Sequence, residues 1–181
     1  MKAPELNMLK FFVFDFDGVM TDDSVFLDLA GNEFVRCSRS DGAGIKLVHE
    51  SNRMNLTDIK MIIVSSETNQ VAISRAVKLG IECHSGIELK HEFLANYAIQ
   101  KLRISSEEFF SHLVYFGNDL NDLKSMKAAS FSIAPRNAHE LVKKAADLVI
   151  DRQGGDGFVR QAIELLLGNE IILEILKRKY V

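Results

Sequence analysis

Six short apolar runs alternate along this chain with stretches of helical periodicity, and few folds satisfy that order. The runs Phe11–Phe14, Lys60–Ser65, Ile81–His84, Leu113–Phe116, Ser130–Ile133 and Leu148–Ile150 read as strands. Between them, Gly42–Ser51, Asn69–Leu79, Leu89–Leu102, Asn121–Ala128, Ala138–Ala145 and Gly157–Leu167 read as helices. Strands separated by helices run parallel and bury both faces. The expected class is therefore α/β, a Rossmann-like doubly wound parallel sheet. One segment breaks the alternation. Val25–Leu27, a turn at Ala30-Gly31-Asn32 and Phe34–Cys37 read as a β-hairpin inserted after the first strand, about residues 24–37. No repeat, low-complexity tract or Pro/Gly linker divides the rest, so residues 1–181 are expected to form one domain. Residues 169–181 are expected to form a short helix or a mobile tail.

Such a sheet binds ligands beyond the carboxyl ends of its strands, where strand order reverses. The first run ends in Asp15-Phe16-Asp17-Gly18, which places two carboxylates on one face of a strand. Like charges that close call for a cation, and a divalent metal with oxygen ligands supplies one. For this pair alone, an exposed turn at a strand end is the simpler alternative. The second run ends in Ser65-Ser66-Glu67, and Lys90 opens the helix after the third. The fourth is followed by Gly117-Asn118-Asp119 and then Asp122. Capping or solvation explains any one of these residues. It does not explain carboxylates, a hydroxyl and an amine delivered to one edge by separate strand ends.

Composition narrows the function classes. A net charge of -3 leaves no basic footprint, which argues against nucleic acid as a partner. Asp15 cuts the N-terminal apolar run short of a signal segment or a membrane span, so a cytoplasmic location is expected. Cys37 and Cys83 form no CxxC pair and are expected as free thiols in a reducing compartment.

A carboxylate nucleophile, a metal, a hydroxyl and a lysine suit phosphoryl transfer through an aspartyl phosphate. The metal offsets repulsion between carboxylate and phosphate, and the lysine and hydroxyl hold the remaining phosphoryl oxygens. A second acid protonates the leaving alcohol and then activates water. In this order, Asp15-Phe16-Asp17-Gly18-Val19, Ser65, Lys90 and Gly117-Asn118-Asp119-Leu120-Asn121-Asp122 resemble the four motifs of the haloacid dehalogenase (HAD) superfamily. The resemblance runs roughly from Leu9 to Leu167. It implies Asp15 as nucleophile and Asp17 as general acid/base. Ser65 and Lys90 would bind phosphate, and Mg2+ would be held among Asp15, Asp17, Asn118, Asp119 and Asp122.

The hairpin, Ser40-Asp41-Gly42-Ala43-Gly44-Ile45 and Gly154-Gly155-Asp156-Gly157-Phe158-Val159-Arg160 resemble the capless branch that acts on phosphates of 3-deoxy-2-ulosonic acids. That branch implies KDO 8-phosphate, or the 9-phosphate of a nine-carbon KDN or sialic-type acid, as substrate. It also implies a homotetramer in which a neighbouring subunit covers a site that has no cap domain of its own. Asn118 stands where the family usually carries an acid; its amide oxygen can still ligate magnesium but brings no charge. This favours an alternative: a weak or inactive oligomerisation domain like the C-terminal domain of CMP-acylneuraminate synthetases. Glu67 and Lys78, eleven residues or about three helical turns apart, are expected on one helix face and, with Arg160, as determinants of substrate choice. His84 and His139 are expected to be structural or solvent-facing.

Overall fold

The computed structural model describes residues 4–68 and 70–180. The chain runs β1 (Phe11–Phe14), a hairpin of β2 (Thr21–Leu27) and β3 (Glu33–Cys37), α1 (Arg39–Arg53), β4 (Lys60–Val64), α2 (Gln70–Leu79) and β5 (Glu82–His84). It continues through α3 (Lys90–Tyr97), α4 (Ser106–Ser111), β6 (Leu113–Phe116), α5 (Leu123–Ala128), β7 (Phe131–Pro135), α6 (Glu140–Ala145), β8 (Leu148–Ile150) and α7 (Phe158–Tyr180). Six strands form one parallel sheet in the order β5-β4-β1-β6-β7-β8.

The two-residue period of a strand decides which layer each side chain joins. Phe12 and Phe14 of β1, Met61 and Ile63 of β4, and Val114 and Phe116 of β6 enter a core shared with α1, α2 and α7. Their neighbours Phe11, Val13, Ile62, Val64, Leu113 and Tyr115 enter a second core with α3, α4, α5 and α6. Strands buried on both faces carry few polar residues, which is why the runs stood out. The chain leaves β1 toward β4 and β5, then returns across it to β6. Strand order therefore reverses at β1, and a crevice opens at its carboxyl end.

The hairpin is a separate two-stranded sheet with an irregularity between Thr21 and Val25. Its turn is an Asp28-centred loop. Asp28 Oδ1 accepts the N–H groups of Ala30 and Asn32 at 2.8 Å, and Gly31 takes φ 81°. Most of both strands is exposed.

Several boundaries move for physical reasons. The Leu89–Leu102 helix begins at Lys90 and widens after Tyr97 into a π turn, Ala98–Leu102, closed by Arg103 at φ 62°. Asn121–Ala128 divides into a 3-10 turn, Leu120–Asp122, and α5, because Asp119 and Asp122 cap the turn reciprocally. His139 caps α6 by accepting Leu141 N–H, so that helix starts at Glu140 rather than Ala138. α4 was not expected; its six residues are too few to show a period, and Ser105 caps it. Asn69, the expected first residue of α2, lies outside the described residues. Past Leu167 the chain stays helical to Tyr180, bent at Gly168 with φ 72°. Ile175 buries itself there, and Lys179 pairs with Glu50 on α1.

Candidate active site

β1 ends at the crevice, and Asp15 extends its ladder by one more bond, its N–H donating to Phe116 O at 2.9 Å. The Asp15 side chain is buried, and Oδ1 accepts Phe16 N–H and the Lys90 ammonium, each at 2.7 Å. Lys90, the first residue of α3, is 1% exposed and reaches Asp122 Oδ1 at 2.8 Å as well. Two carboxylates sharing one ammonium leave a net negative charge in the interior. Burial and then repulsion from Asp122 push the Asp15 carboxyl well up, against the opposing pull of Lys90. The two carboxylates outweigh burial at Lys90 and hold its ammonium protonated.

Asp122 has no exposed surface. Oδ1 accepts Lys90 and the Tyr115 hydroxyl, both at 2.8 Å; Oδ2 accepts the N–H groups of Asn118 at 2.9 Å and Asp119 at 3.2 Å. Four donors fill a carboxylate's acceptor sites. These donors leave Asp122 no acceptor site for the expected Mg2+; its carboxylate aligns Lys90 and the loop after β6. Gly117 allows this, since a Cβ there would lie 2.7 Å from the Asp122 Cβ.

Asp17 turns back into the crevice. Its Oδ1 accepts the Thr21 hydroxyl at 3.3 Å, while Oδ2 is buried and has no hydrogen-bond partner among the described residues. Burial raises this carboxyl, the Thr21 bond opposes the rise, and Asp23 and Glu67 add to it. Gly18 makes the approach possible. It takes φ 75°, and a Cβ would stand 1.9 Å from Asn118 Nδ2. Turned nitrogen-inward, the Asn118 amide donates to Asp17 O at 2.8 Å and Asp15 Oδ2 at 3.1 Å. Turned oxygen-inward, it brings three oxygens together at those separations. Adjacent ligands about 2.0–2.1 Å from an octahedral Mg2+ are about 2.9 Å apart, so this donor set fits a small divalent cation. Among the described residues no three His, Cys, Asp or Glu side chains form a metal cluster. A cation here would draw on the Asn118 amide and the Asp17 carbonyl in addition to Asp15.

Ser65 follows β4 and is buried, its Oγ accepting Glu67 N–H at 3.2 Å. Among the described residues no acceptor takes its hydroxyl proton. Asp15, Asp17, Asp23, Ser65, Ser66, Glu67, Asn118, Asp119 and Asn121 line a cavity of about 140 Å3, with Lys90 and Asp122 behind its floor. Asp119 is exposed at the rim and accepts Leu120 N–H. A larger cavity of about 550 Å3 lies elsewhere, beside Ser38, Arg152 and Arg160, and holds none of this set.

Two of the specificity candidates do not join the site within one chain. Glu67 lines the cavity from a loop that precedes α2, so it does not share a helix face with Lys78. Lys78 is exposed in the last turn of α2, about 12 Å of helical rise from its start. Arg160 pairs with Glu164 at 2.8 Å beside the larger cavity. Thr21, Tyr115 and Asp23 were missed by sequence reasoning. Asp-Gly followed closely by threonine could have pointed to Thr21; Tyr115 is hidden in an apolar strand.

Residues 90–161 match the haloacid dehalogenase-like hydrolase family. The 3-deoxy-D-manno-octulosonate 8-phosphate phosphatase of Escherichia coli strain K12 is 30% identical over 167 residues, 92% of this chain and 81% of that protein. The chain belongs to the capless haloacid dehalogenase-like phosphatases. It is an enzyme that acts on phosphate monoesters. This phosphatase also resembles the Moraxella catarrhalis 3-deoxy-D-manno-octulosonate 8-phosphate phosphatase, solved with magnesium, phosphate and KDO. The TM-score is 0.83 and the identity 28%, covering 96% of this chain and 95% of that one. The cobalt-bound Haemophilus influenzae enzyme gives a TM-score of 0.78 at 27% identity, over 91% and 90% of the two chains. No helix among the described residues is long and apolar enough to cross a membrane.

Proposed function

We propose that this phosphatase hydrolyses KDO 8-phosphate by way of a phosphoryl group carried on Asp15. The observation that carries the mechanism is the buried Oδ2 of Asp17 beside Asp15, which has no hydrogen-bond partner among the described residues, on a carboxyl whose pKa burial raises. The Asp15 carboxylate attacks phosphorus as the ester P–O bond breaks, and Asp17 delivers its proton to the leaving alkoxide. Asp17 then takes a proton from water, whose oxygen attacks phosphorus. The bond to Asp15 breaks, and inorganic phosphate leaves. Ser65 and the remaining N–H of Lys90 hold phosphoryl oxygens as charge redistributes. Mg2+, held by Asp15, the Asp17 carbonyl and Asn118 with Asp119 nearby, would neutralise the phosphate charge that otherwise repels Asp15.

Relatives named for this substrate support the choice of KDO 8-phosphate over the 9-phosphate of a nine-carbon acid. The hairpin presents Phe26 at 60%, Leu27 at 68% and Leu29 at full exposure. Covering that apolar edge with equivalent hairpins would give the tetramer and bring a neighbour, with its Lys78 or Arg160, to the open site. Phosphate release from both sugar-acid phosphates, with Mg2+ and with EDTA, tests the reading. Turnover of KDO 8-phosphate that EDTA abolishes supports it; no turnover of either ester overturns it.

A further inference from the structure

Asp23 adopts a left-handed backbone, φ 66°, inside strand β2. A pleated strand prefers negative φ, so such a conformation persists only where its surroundings impose it. They do so from three sides. Asp23 N–H donates to Thr21 Oγ1 at 3.2 Å, and that wholly buried threonine also accepts Gly18 N–H and holds Asp17. Gly155 lies so close that a Cβ would stand 2.5 Å from the Thr21 carbonyl carbon. Arg36 anchors the neighbouring Asp22 at 2.8 Å. The result of this clamp is that Asp23, itself exposed at the rim, lines the active-site cavity.

Asp15 lies at the buried floor, where the phosphoryl group is transferred, so the leaving alcohol extends toward the rim. There it meets Asp23, Glu67 and Asp119, and no cationic side chain lines the cavity among the described residues. Ionised carboxylates only accept hydrogen bonds and repel a second anion, while a hydroxyl donates to them with charge assistance. We propose that Asp23 is a specificity-determining residue whose carboxylate accepts hydrogen bonds from hydroxyls near the scissile ester. The site thereby favours phosphates of polyhydroxylated alcohols over plain esters. This rests on the phosphatase reading above and adds the chemistry of the leaving group.

The test compares Asp23→Gly and Asp23→Asn with wild type on KDO 8-phosphate and on phenyl phosphate, which carries no hydroxyl. Losing a hydrogen bond to a charged acceptor lowers the ratio of the two kcat/KM values about tenfold. Glycine accepts φ 66° without strain, so the urea midpoint of Asp23→Gly stays at or above that of wild type. An unchanged ratio, or equal losses on both esters, overturns the role of Asp23 alone. A wild type that releases phosphate from neither ester overturns the phosphatase reading and this inference with it.

Discussion

Replacing Lys90 with methionine isolates the electrostatics of the site from its chemistry. Methionine keeps much of the length of the side chain but removes the ammonium that Asp15 and Asp122 share at 2.7 and 2.8 Å. Breaking a buried ion pair from one side costs about 3–5 kcal/mol, because the remaining charges stay buried without compensation. At about 2–4 °C per kcal/mol for a chain of this length, the melting temperature falls by about 6–20 °C. The sign of the pH dependence follows from Asp15. Its folded pKa lies above the unfolded value, so its contribution is complete below the unfolded pKa and is lost as pH rises through the folded one. Lys90 opposes that rise, and removing it pushes Asp15 further up. The deficit of the variant is therefore small near pH 4 and grows toward neutrality. Urea unfolding of both proteins at pH 4, 6 and 8 in EDTA, which keeps a cation from replacing the ammonium, measures it. A variant as stable as wild type at pH 8, or a deficit that grows as pH falls, would refute the shared-ammonium account.

Two further outcomes follow from the geometry. Gly18→Ala places a methyl against Asn118 Nδ2 at a φ of 75°, so it displaces the amide that approaches Asp15 and Asp17. It is expected to cost about 1–3 kcal/mol and most of kcat/KM; denaturant titration beside a phosphate-release assay checks both, and full activity would contradict the role of the turn. Deleting Asp28–Glu33 removes the exposed hairpin tip without touching the parallel sheet. Light scattering is expected to show the assembly falling toward monomers, and an unchanged mass would exclude the hairpin as the contact.

The fold was legible where one local signal decided it. Phe12 and Phe14 part from Phe11 and Val13 by strand alternation alone, and the doubly wound sheet follows. The meeting of Asp15, Asp17, Ser65 and Asn118 around one cavity was legible too, because parallel topology brings strand ends to one edge. Tertiary context hid the rest. Asp122 and Asp119 look alike in sequence, yet the turn at Gly117 buries one among four donors and leaves the other at the rim. The spacing of Glu67 and Lys78 implied one helix face, but α2 starts only at Gln70. Asp23 carried no signal, since its conformation is imposed by Thr21 and by Gly155 far along the chain.

The most direct test of the mechanism is to find the phosphoryl group on the protein. Wild type and Asp15→Asn are mixed with KDO 8-phosphate and Mg2+, quenched in acid and mapped by mass spectrometry. One added phosphoryl group on the peptide containing Asp15 in wild type, absent from Asp15→Asn, is the predicted result. Turnover by Asp15→Asn at the wild-type rate, with no phosphorylated peptide at any time, would contradict it.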